Sequence, residues 1–339
     1  MRKPEAEEAP ESDAVPDAPH PRRAERLIGH AAAEAEMLSA YREGRLAHAW
    51  LVGGPQGVGK ATLAWRFARF LFANPDPNAP AARAASDLSV DPKNPAARHL
   101  ASLAHPDFSL VRIGWQADKK KFYSEIRVDD IREALQVFQM SPAFGGWRVC
   151  LVDCAEDLNP NGANALLKMI EEPPARSLIL IVSHRPGQVL PTIRSRCRRL
   201  RLDPLSEREI VEVIATLGPP WSEADPAAVA KAAGRSNGSV REALTRLSPG
   251  SEAVGGLIDA ALAGRVANEA FEAFHRELYD WLAAYAAKAV SSPLGAWEIG
   301  ALWDRIRDAA RETEAMNLDR KLHVLAVFAE IAASARRRR

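Results

Sequence analysis

Cysteine is scarce in this sequence, with three among 339 residues. A disulfide scaffold is therefore excluded, and the usage is typical of a reducing compartment. No apolar run approaches the roughly 20 residues that span a bilayer, since the best candidate, Ser177–Ser183, has the length of a strand. The acidic, proline-rich start does not match the apolar core of a signal peptide. These absences predict a soluble, cytoplasmic protein with no membrane partner.

Net charge is also nearly absent. The 45 Lys and Arg residues offset 44 Asp and Glu residues, which leaves a formal charge of +1. A protein that coats nucleic acid over its whole surface is therefore excluded, although local basic patches are not. The hydrophobic fraction of 47% excludes global disorder and, with this length, predicts about two or three domains.

Hydropathy patterns divide the chain into four parts. Residues 1–22 are acidic and rich in proline, which predicts a disordered tail. Residues 23–202 alternate strand-like and helical patterns, which predicts an α/β domain with a mostly parallel sheet. Within it, residues 74–95 contain five prolines and are interpreted as an exposed insertion. Residues 203–250 and 251–339 carry only helical patterns and predict a small and a larger helical domain.

Secondary structure was assigned from apolar periodicity and from glycine and proline positions. The predicted strands are Ala49–Gly53, Phe108–Ile113, Trp147–Val152 and Leu178–Val182. The predicted helices are Leu27–Arg45, Ala61–Phe72, Val128–Met140, Asn164–Ile170, Glu207–Leu217, Pro226–Ala233 and Val240–Leu247.

A glycine-rich loop between the first predicted strand and the next helix points to phosphate binding. Gly54-Pro-Gln-Gly57-Val-Gly59-Lys60-Ala61 matches G-x-x-x-x-G-K-[ST] except at its last position. Glycines let backbone N–H groups curl around phosphate oxygens, the helix N-terminus adds a partial positive charge, and Lys60 adds a full one. Ala61 has no hydroxyl for Mg²⁺, and Thr62 is displaced along the helix, so we expect weak metal binding.

A second nucleotide-binding element is predicted at Val149-Cys-Leu-Val-Asp153, an apolar strand that ends in an acid suited to holding Mg²⁺ through water. The next residue is Cys154, and a thiol is a poor general base. Cys154 is interpreted as a small buried residue, and Glu156 lies two residues further on. Cys150 and Cys154 have no second cysteine pair nearby, so no zinc site is expected.

Three segments together resemble bacterial sliding-clamp loader subunits of the AAA+ class. They are Leu46-Ala-His-Ala-Trp-Leu-Val-Gly-Gly-Pro-Gln-Gly-Val-Gly-Lys60, Asn164-Ala-Leu-Leu-Lys-Met-Ile-Glu-Glu-Pro-Pro174 and Ser195-Arg-Cys197. The resemblance runs from about Leu27 to Leu247. It implies a RecA-like AAA+ P-loop domain, a helical lid domain and an all-α C-terminal collar that joins five loader subunits in a ring.

Within this family the chain resembles the delta-prime branch. His105-Pro-Asp-Phe108 before a strand and Ile126-Arg-Val-Asp-Asp-Ile-Arg132 carry that resemblance. The motor branch, tau or gamma, has Thr or Ser directly after the loop lysine, where this chain has Ala61. It has Glu directly after the aspartate of the second nucleotide-binding strand, where this chain has Cys154. A zinc module occurs in both branches, so its absence does not separate them.

The resemblance assigns a role to Arg196. In this family the arginine of Ser-Arg-Cys projects into a neighbouring subunit's nucleotide site, where a guanidinium neutralises charge on the γ-phosphate. The other arginines of this region, Arg194, Arg198, Arg199 and Arg201, are interpreted as a solvated basic strand end.

The resemblance also marks a lid motif, Gly238-Ser-Val-Arg241-Glu-Ala-Leu244. Ser239 is placed to cap the helix. Arg241 is either aimed at the phosphates or mainly structural. Ser183 and His184 fall where relatives sense the γ-phosphate, and a surface polar pair is the other interpretation.

The last helices carry no catalytic pattern. Their apolar stripe is interpreted as core, and the final arginines as a frayed tail or a nucleic-acid contact. The stripe comprises Leu278, Trp281, Leu282 and Tyr285, and the arginines are Arg336–Arg339.

The function implied is a subunit of the DNA polymerase III clamp loader that hydrolyses no ATP itself. Expected partners are the tau/gamma motor and delta subunits, the β sliding clamp and primed DNA. The expected cofactor is ATP or ADP in a degenerate site, with Mg²⁺ weak or absent and no zinc. Two alternatives remain: an active motor subunit that uses Thr62 and Glu156, and a nucleotide-sensing AAA+ regulator that loads no clamp.

Overall fold

A computed structural model describes residues 10–15, 17–119, 121–247, 275–276, 278–279, 293–316, 318–320 and 322–327. The chain divides into two compact units, Met1–Leu247 and Ser248–Arg339. The first unit contains a five-stranded sheet, the helices that cover it and a small helical bundle.

The strands of the sheet are β1 (Ala49–Gly53), β2 (Phe108–Val111), β5 (Arg148–Asp153), β6 (Ser177–Ser183) and β7 (Arg198–Arg201). They are all parallel and lie in the order β2-β5-β6-β1-β7. A separate antiparallel hairpin pairs β3 (Trp115–Gln116) with β4 (Lys121–Phe122). The three inner strands are buried along their whole length, as the continuous apolar runs predict. The expected α/β fold with a parallel sheet is confirmed.

Side chains alternate between the two faces of the sheet because successive residues of a strand point in opposite directions. On β1, Trp50 and Val52 join one buried cluster, whereas Ala49 and Leu51 join the other. The first cluster lies under α1 (Ala31–Arg42) and α2 (Lys60–Ala73), and the second under α5 (Val128–Leu135), α6 (Pro160–Glu171) and α7 (Pro191–Arg196). Helices therefore cover both faces, and the loops after the strands remain at one edge of the sheet.

The proline-rich insertion contains α3 (Pro80–Ala84), and α4 (Pro95–Ala101) begins at its last proline. Most of its residues are exposed, as expected, but Ala82 and Leu88 are fully buried against the sheet domain. These two apolar side chains therefore hold the insertion against the sheet domain, while its prolines prevent a long helix.

A three-helix bundle follows the sheet: α8 (Glu207–Thr216), α9 (Pro226–Arg235) and α10 (Val240–Leu247). Its core includes Ile210, Trp221 and Leu244. Ser206 and Glu209 form a reciprocal capping box at the start of α8, which satisfies backbone N–H groups that the helix leaves unpaired.

The second unit includes α11 (Pro293–Ala315). Leu278 is buried in this unit, whereas Trp281, Leu282, Tyr285 and Arg336–Arg339 lie outside the described residues. A search of the described helices found none with the length and apolar character of a membrane span.

The prediction of a disordered tail is wrong for residues 10–15 and 17–22, while residues 1–9 and 16 lie outside the described part. Asp13 forms an ion pair with Arg112 and lies 2.8 Å from His20 Nε2, and residues 21–23 form a 3₁₀ helix. Composition predicted disorder because it shows how many acidic residues the segment has, but not which basic side chains the fold places beside them.

Candidate nucleotide site

The glycine loop joins β1 to α2 in the predicted position, and its backbone requires glycine. Gly54, Gly57 and Gly59 have φ of 149°, 77° and 103°. A Cβ on Gly54 would lie 2.2 Å from the Leu202 carbonyl oxygen, and one on Gly57 would lie 2.2 Å from Ser239 Oγ. A side chain at either position would therefore combine a strained φ with a steric clash.

The lid bundle packs directly against this loop. The Val240 N–H donates to the Gly57 carbonyl oxygen at 2.9 Å, at the start of α10. Ser239 Oγ accepts a hydrogen bond from the Glu242 N–H at 3.1 Å, so Ser239 caps α10 as predicted. The positive end of α10 thus lies beside the positive end of α2, which favours an anionic ligand between them.

Lys60 is the first residue of α2, and its side chain is almost fully buried. Nζ donates to the carbonyl oxygen of Pro55 in the same loop. Burial lowers the pKa of Lys60 to about 8, although the nearby acidic groups of Cys154, Asp153 and Glu156 oppose this shift. A phosphate would supply the strong anionic partner that this buried ammonium lacks.

Asp153 ends β5, beside the loop. Burial raises its pKa to about 7, and the charge of Asp13 adds to this, whereas Lys60 and Arg241 oppose it. Burying an ionised carboxylate without a strong cationic partner costs free energy. A divalent cation bound next to Asp153, alone or together with phosphate, would offset that cost. Ala61 has no oxygen in its side chain to share such a cation, so a metal would depend on Asp153 and, at a distance along α2, on Thr62.

The residues after Asp153 form a closed hydrogen-bond cluster. The Cys154 thiol donates to Glu156 Oε2, while Ser183 Oγ donates to Glu156 Oε1 at 2.6 Å and the Arg185 N–H also donates to Oε1. Burial acts to raise the pKa of Glu156, but these hydrogen bonds outweigh burial and hold the pKa below its usual range. Both carboxylate oxygens are occupied and the group is a weak base, so Glu156 is poorly suited to activate water.

His184 follows β6 and lines the same cavity as Lys60. Its Nδ1 is buried and has no hydrogen-bond partner among the described residues. Burial lowers the pKa of His184 to about 4, which keeps the imidazole neutral. A neutral ring with an unpaired nitrogen can contact a bound ligand, whereas its neighbour Ser183 is already bonded to Glu156.

These groups surround a cavity of about 750 Å³, a volume within the usual range for small-molecule sites. The structure brings seven of the predicted site residues to its wall: Gly57, Gly59, Lys60, Ala61, Thr62, Asp153 and Arg241. Gly54 shapes the loop but does not line the cavity. The glycine cradle, the buried lysine and the unpaired histidine nitrogen together fit a nucleotide polyphosphate.

Arg241 points to this cavity from α10, but its guanidinium is already engaged. Its two Nη atoms donate to the carbonyl oxygens of Asp13 at 3.4 Å and Ala14 at 2.9 Å. Ser12, Asp13, Val15 and Ala18 from the same N-terminal segment also line the cavity. Sequence reasoning missed this wall, since no motif marks it and acidic composition pointed towards disorder.

Arg196 lies elsewhere on the same unit, as the last residue of α7, and is not part of the cavity wall. Its side chain is 43% exposed and pairs with Glu171. The structure therefore separates the predicted finger from the phosphate loop of its own chain, an arrangement compatible with action on a neighbour.

Comparisons with known proteins bear on this site. The profile of the family described as "DNA polymerase III, delta subunit" matches residues 29–206, which include the glycine loop, Asp153 and Arg196. The chain belongs to this family. The resemblance carried by the glycine loop, the Asn164–Pro174 segment and the Ser-Arg-Cys motif is confirmed at the level of this family.

Individual relatives agree with the family. The chain is 37% identical over 151 residues to the DNA polymerase III subunit delta' of Pseudomonas aeruginosa, across 44% of this chain and 42% of that protein. It is 27% identical to the subunit delta' of Escherichia coli, across 52% and 48%, and 31% identical to the subunit gamma/tau of Mycobacterium bovis, across 56% and 30%. The chain thus spans less than half the length of each of these relatives.

Proposed function

We propose that this chain acts within the DNA polymerase III clamp loader as a subunit that hydrolyses no ATP and supplies Arg196 to a neighbouring nucleotide site. The observation that carries the proposal is the state of Glu156. The carboxylate of Glu156, two residues after the position of the catalytic base, accepts hydrogen bonds from Cys154, Ser183 and the Arg185 N–H, and is therefore held away from water activation.

The phosphate loop supports nucleotide binding without turnover. The glycines and Lys60 would hold the phosphates, and Asp153 would hold Mg²⁺ weakly because Ala61 offers no ligand. A bound nucleotide supplies the polyphosphate charge that Lys60 would neutralise. The described residues of the cavity wall then bind and orient this group, while the hydrogen bonds on Glu156 hold that carboxylate away from removing a proton from water.

Arg196 supports the second half of the proposal. It is exposed, charged and anchored by one carboxylate at the end of a short helix. A guanidinium supplied in trans is worth on the order of 10³ to 10⁵ in rate in phosphoryl transfer. The partners proposed are a tau/gamma motor subunit that binds ATP, a delta subunit, the β sliding clamp and primed DNA.

The test is DNA-stimulated ATPase of a loader reconstituted with motor and delta subunits, clamp and primed DNA. We expect Arg196→Ala to lower the rate by at least a hundredfold while the complex still assembles. The matched control is Arg199→Ala, three residues away on the exposed edge of β7. An unchanged rate with Arg196→Ala would refute the finger, and failure to assemble with the wild-type chain would favour the regulator.

The motor alternative has a separate readout. It requires Glu156 to activate water and Thr62 to replace the missing metal ligand. We expect no ATP hydrolysis above background by the isolated chain, with or without Mg²⁺. Turnover that is abolished by Glu156→Gln would establish the motor instead.

A further inference from the structure

The N-terminal residues 10–23, here named the strap, contact the sheet domain at both ends and the lid bundle in between, and several of them line the nucleotide cavity. Of these residues the structure describes all but Pro16. The strap contacts the end of β2, α2, the cavity and the lid. Each contact involves a defined hydrogen bond, ion pair or apolar side chain.

A cluster of charged and polar side chains fixes both ends of the strap to the sheet domain. Arg112, just after β2, donates to Asp13 Oδ1 at 2.6 Å and to Glu11 Oε1 at 2.7 Å. Arg22 closes the cluster on Glu11 at 2.6 Å, and His20 Nε2 lies 2.8 Å from Asp13 Oδ2. All five side chains are at most 20% exposed, so these contacts are much less screened than surface pairs.

The middle of the strap reaches the lid. The indole Nε1 of Trp221 donates to the Asp17 carbonyl oxygen at 2.8 Å. Val15 and Ala18 pack against the core of the three-helix bundle. The strap therefore ties the lid to the sheet domain along the wall of the cavity.

The contact with Arg241 links the strap to ligand binding. The guanidinium donates to the carbonyl oxygens of Asp13 and Ala14, so it is turned towards the strap. A guanidinium has five N–H donors in one plane. A phosphate that bound Arg241 would therefore compete with the strap carbonyl oxygens for these donors. Asp13 also lines the cavity, and its negative charge raises the pKa of Asp153 there.

We propose that the strap is a built-in competitor of nucleotide: it holds Arg241 and the lid in place of a polyphosphate, and ATP binds fully only when the strap is displaced. The proposal rests on the proposed function in one respect, that the cavity is a nucleotide site. It predicts that loosening the strap tightens ATP binding. A strap that instead formed part of the binding wall would have the opposite effect.

The test is ATP affinity by calorimetry on the full chain, with and without Mg²⁺. Glu11→Gln combined with Asp13→Asn removes both carboxylates that hold Arg112. We expect the dissociation constant for ATP to fall at least tenfold. Asp17→Asn is the matched control, since it removes an exposed charge from the same strap and leaves its carbonyl in place, and we expect a change of less than twofold.

Arg241→Ala sharpens the test because it distinguishes competition from a general loosening of the fold. In the wild-type background the strap already occupies Arg241, so the substitution should change ATP affinity by less than threefold. In the Glu11→Gln, Asp13→Asn background the same substitution should weaken ATP binding at least tenfold. Equal effects in the two backgrounds would refute competition for Arg241.

Hydrogen exchange of the wild-type chain gives a readout that needs no variant. Saturating ATP should accelerate amide exchange in residues 11–20. Slower exchange there, or weaker ATP binding by the double variant, would show that the strap closes over nucleotide and would overturn the proposal. ATP binding by none of the chains would overturn it too. The Arg196→Ala assay is independent of all these outcomes. The proposed loader function and the proposed competition by the strap can therefore be refuted separately.

Discussion

Arg196 Nη2 lies 2.9 Å from Glu171 Oε1, so the last residue of α7 is ion-paired with the last residue of α6. The pair joins two segments that are far apart in the sequence, the Ser-Arg-Cys motif and the Glu-Glu-Pro-Pro motif. Both side chains are more than 40% exposed, and the guanidinium also donates to the Thr192 carbonyl oxygen at 3.2 Å. The arginine is therefore oriented but open to a further anionic partner.

This exposure predicts a small effect on stability. Exposed ion pairs contribute about 0 to 1 kcal/mol. We expect Arg196→Ala and Glu171→Gln each to change the free energy of unfolding of the isolated chain by less than about 1 kcal/mol, measured by urea denaturation. A larger loss would mean that Arg196 has a structural role, and a rate defect of the loader would then need another explanation.

Gly54 and Gly44 form a matched pair for testing the glycine loop. Both have positive φ, 149° and 64°, but a Cβ would meet the Leu202 carbonyl oxygen at 2.2 Å in the first case and no atom within 4 Å in the second. We expect Gly54→Ala to cost about 2–4 kcal/mol and Gly44→Ala about 1 kcal/mol. Urea denaturation of both variants measures the difference, and equal costs would contradict the close packing of the loop.

A buried ion pair joins α1 to α2. Arg66 Nε lies 2.6 Å from Glu34 Oε1, and the two side chains are 2% and 8% exposed. Removal of one partner leaves an uncompensated buried charge, so we expect Glu34→Ala to cost about 3–5 kcal/mol. Glu34→Leu combined with Arg66→Met should restore most of that loss. A double variant no more stable than Glu34→Ala would show that shape, rather than charge, dominates this contact.

The attachment of Asp13 should depend on pH. Burial acts to raise its pKa, but His20 and Arg112 outweigh it and lower the pKa from 3.8 to about 2. A lowered carboxyl pKa stabilises the fold above pH 3.8, and this contribution is lost as the pH falls towards 2. We expect Asp13→Asn to cost about 2 kcal/mol at pH 7 and clearly less at pH 3.

Urea denaturation at pH 7, 5 and 3 measures this contribution. Asp17→Asn serves as the control, because that side chain is exposed. A cost of Asp13→Asn that is the same at all three pH values would contradict a role for the ionised carboxylate.

The three cysteines should be inert in the folded protein. Burial raises the pKa of Cys150 to about 11 and that of Cys197 to about 12; burial and then the Glu156 carboxylate raise that of Cys154 to about 12. The thiolate is the reactive form, and it is therefore scarce below pH 9. We expect negligible alkylation by iodoacetamide at pH 8 and modification of all three in urea. Rapid native modification of Cys154 would contradict its interpretation as a buried structural residue.

The strands, the glycine loop and most helices could be predicted from the sequence because each depends on local patterns. Strand β1 was predicted and found at Ala49–Gly53, since four apolar residues followed by two glycines permit few alternatives. The predicted helix Leu27–Arg45 is shorter, Ala31–Arg42, because helix ends depend on weak capping interactions. The edge strand β7 was interpreted only as a basic strand end, and the short β3–β4 hairpin was not predicted, because arginine-rich or two-residue segments carry little periodicity.

The sequence by itself determined that a phosphate loop without its metal ligand lies between a buried strand and a helix, because glycine, lysine and alanine at those positions have local consequences. Only the tertiary structure decided which groups surround it. Glu156 accepts a hydrogen bond from Ser183 at the end of β6. The strap binds Arg241 through carbonyl oxygens more than 200 residues away in the chain. Such contacts depend on which charges and donors the fold brings together, and composition does not encode those distances.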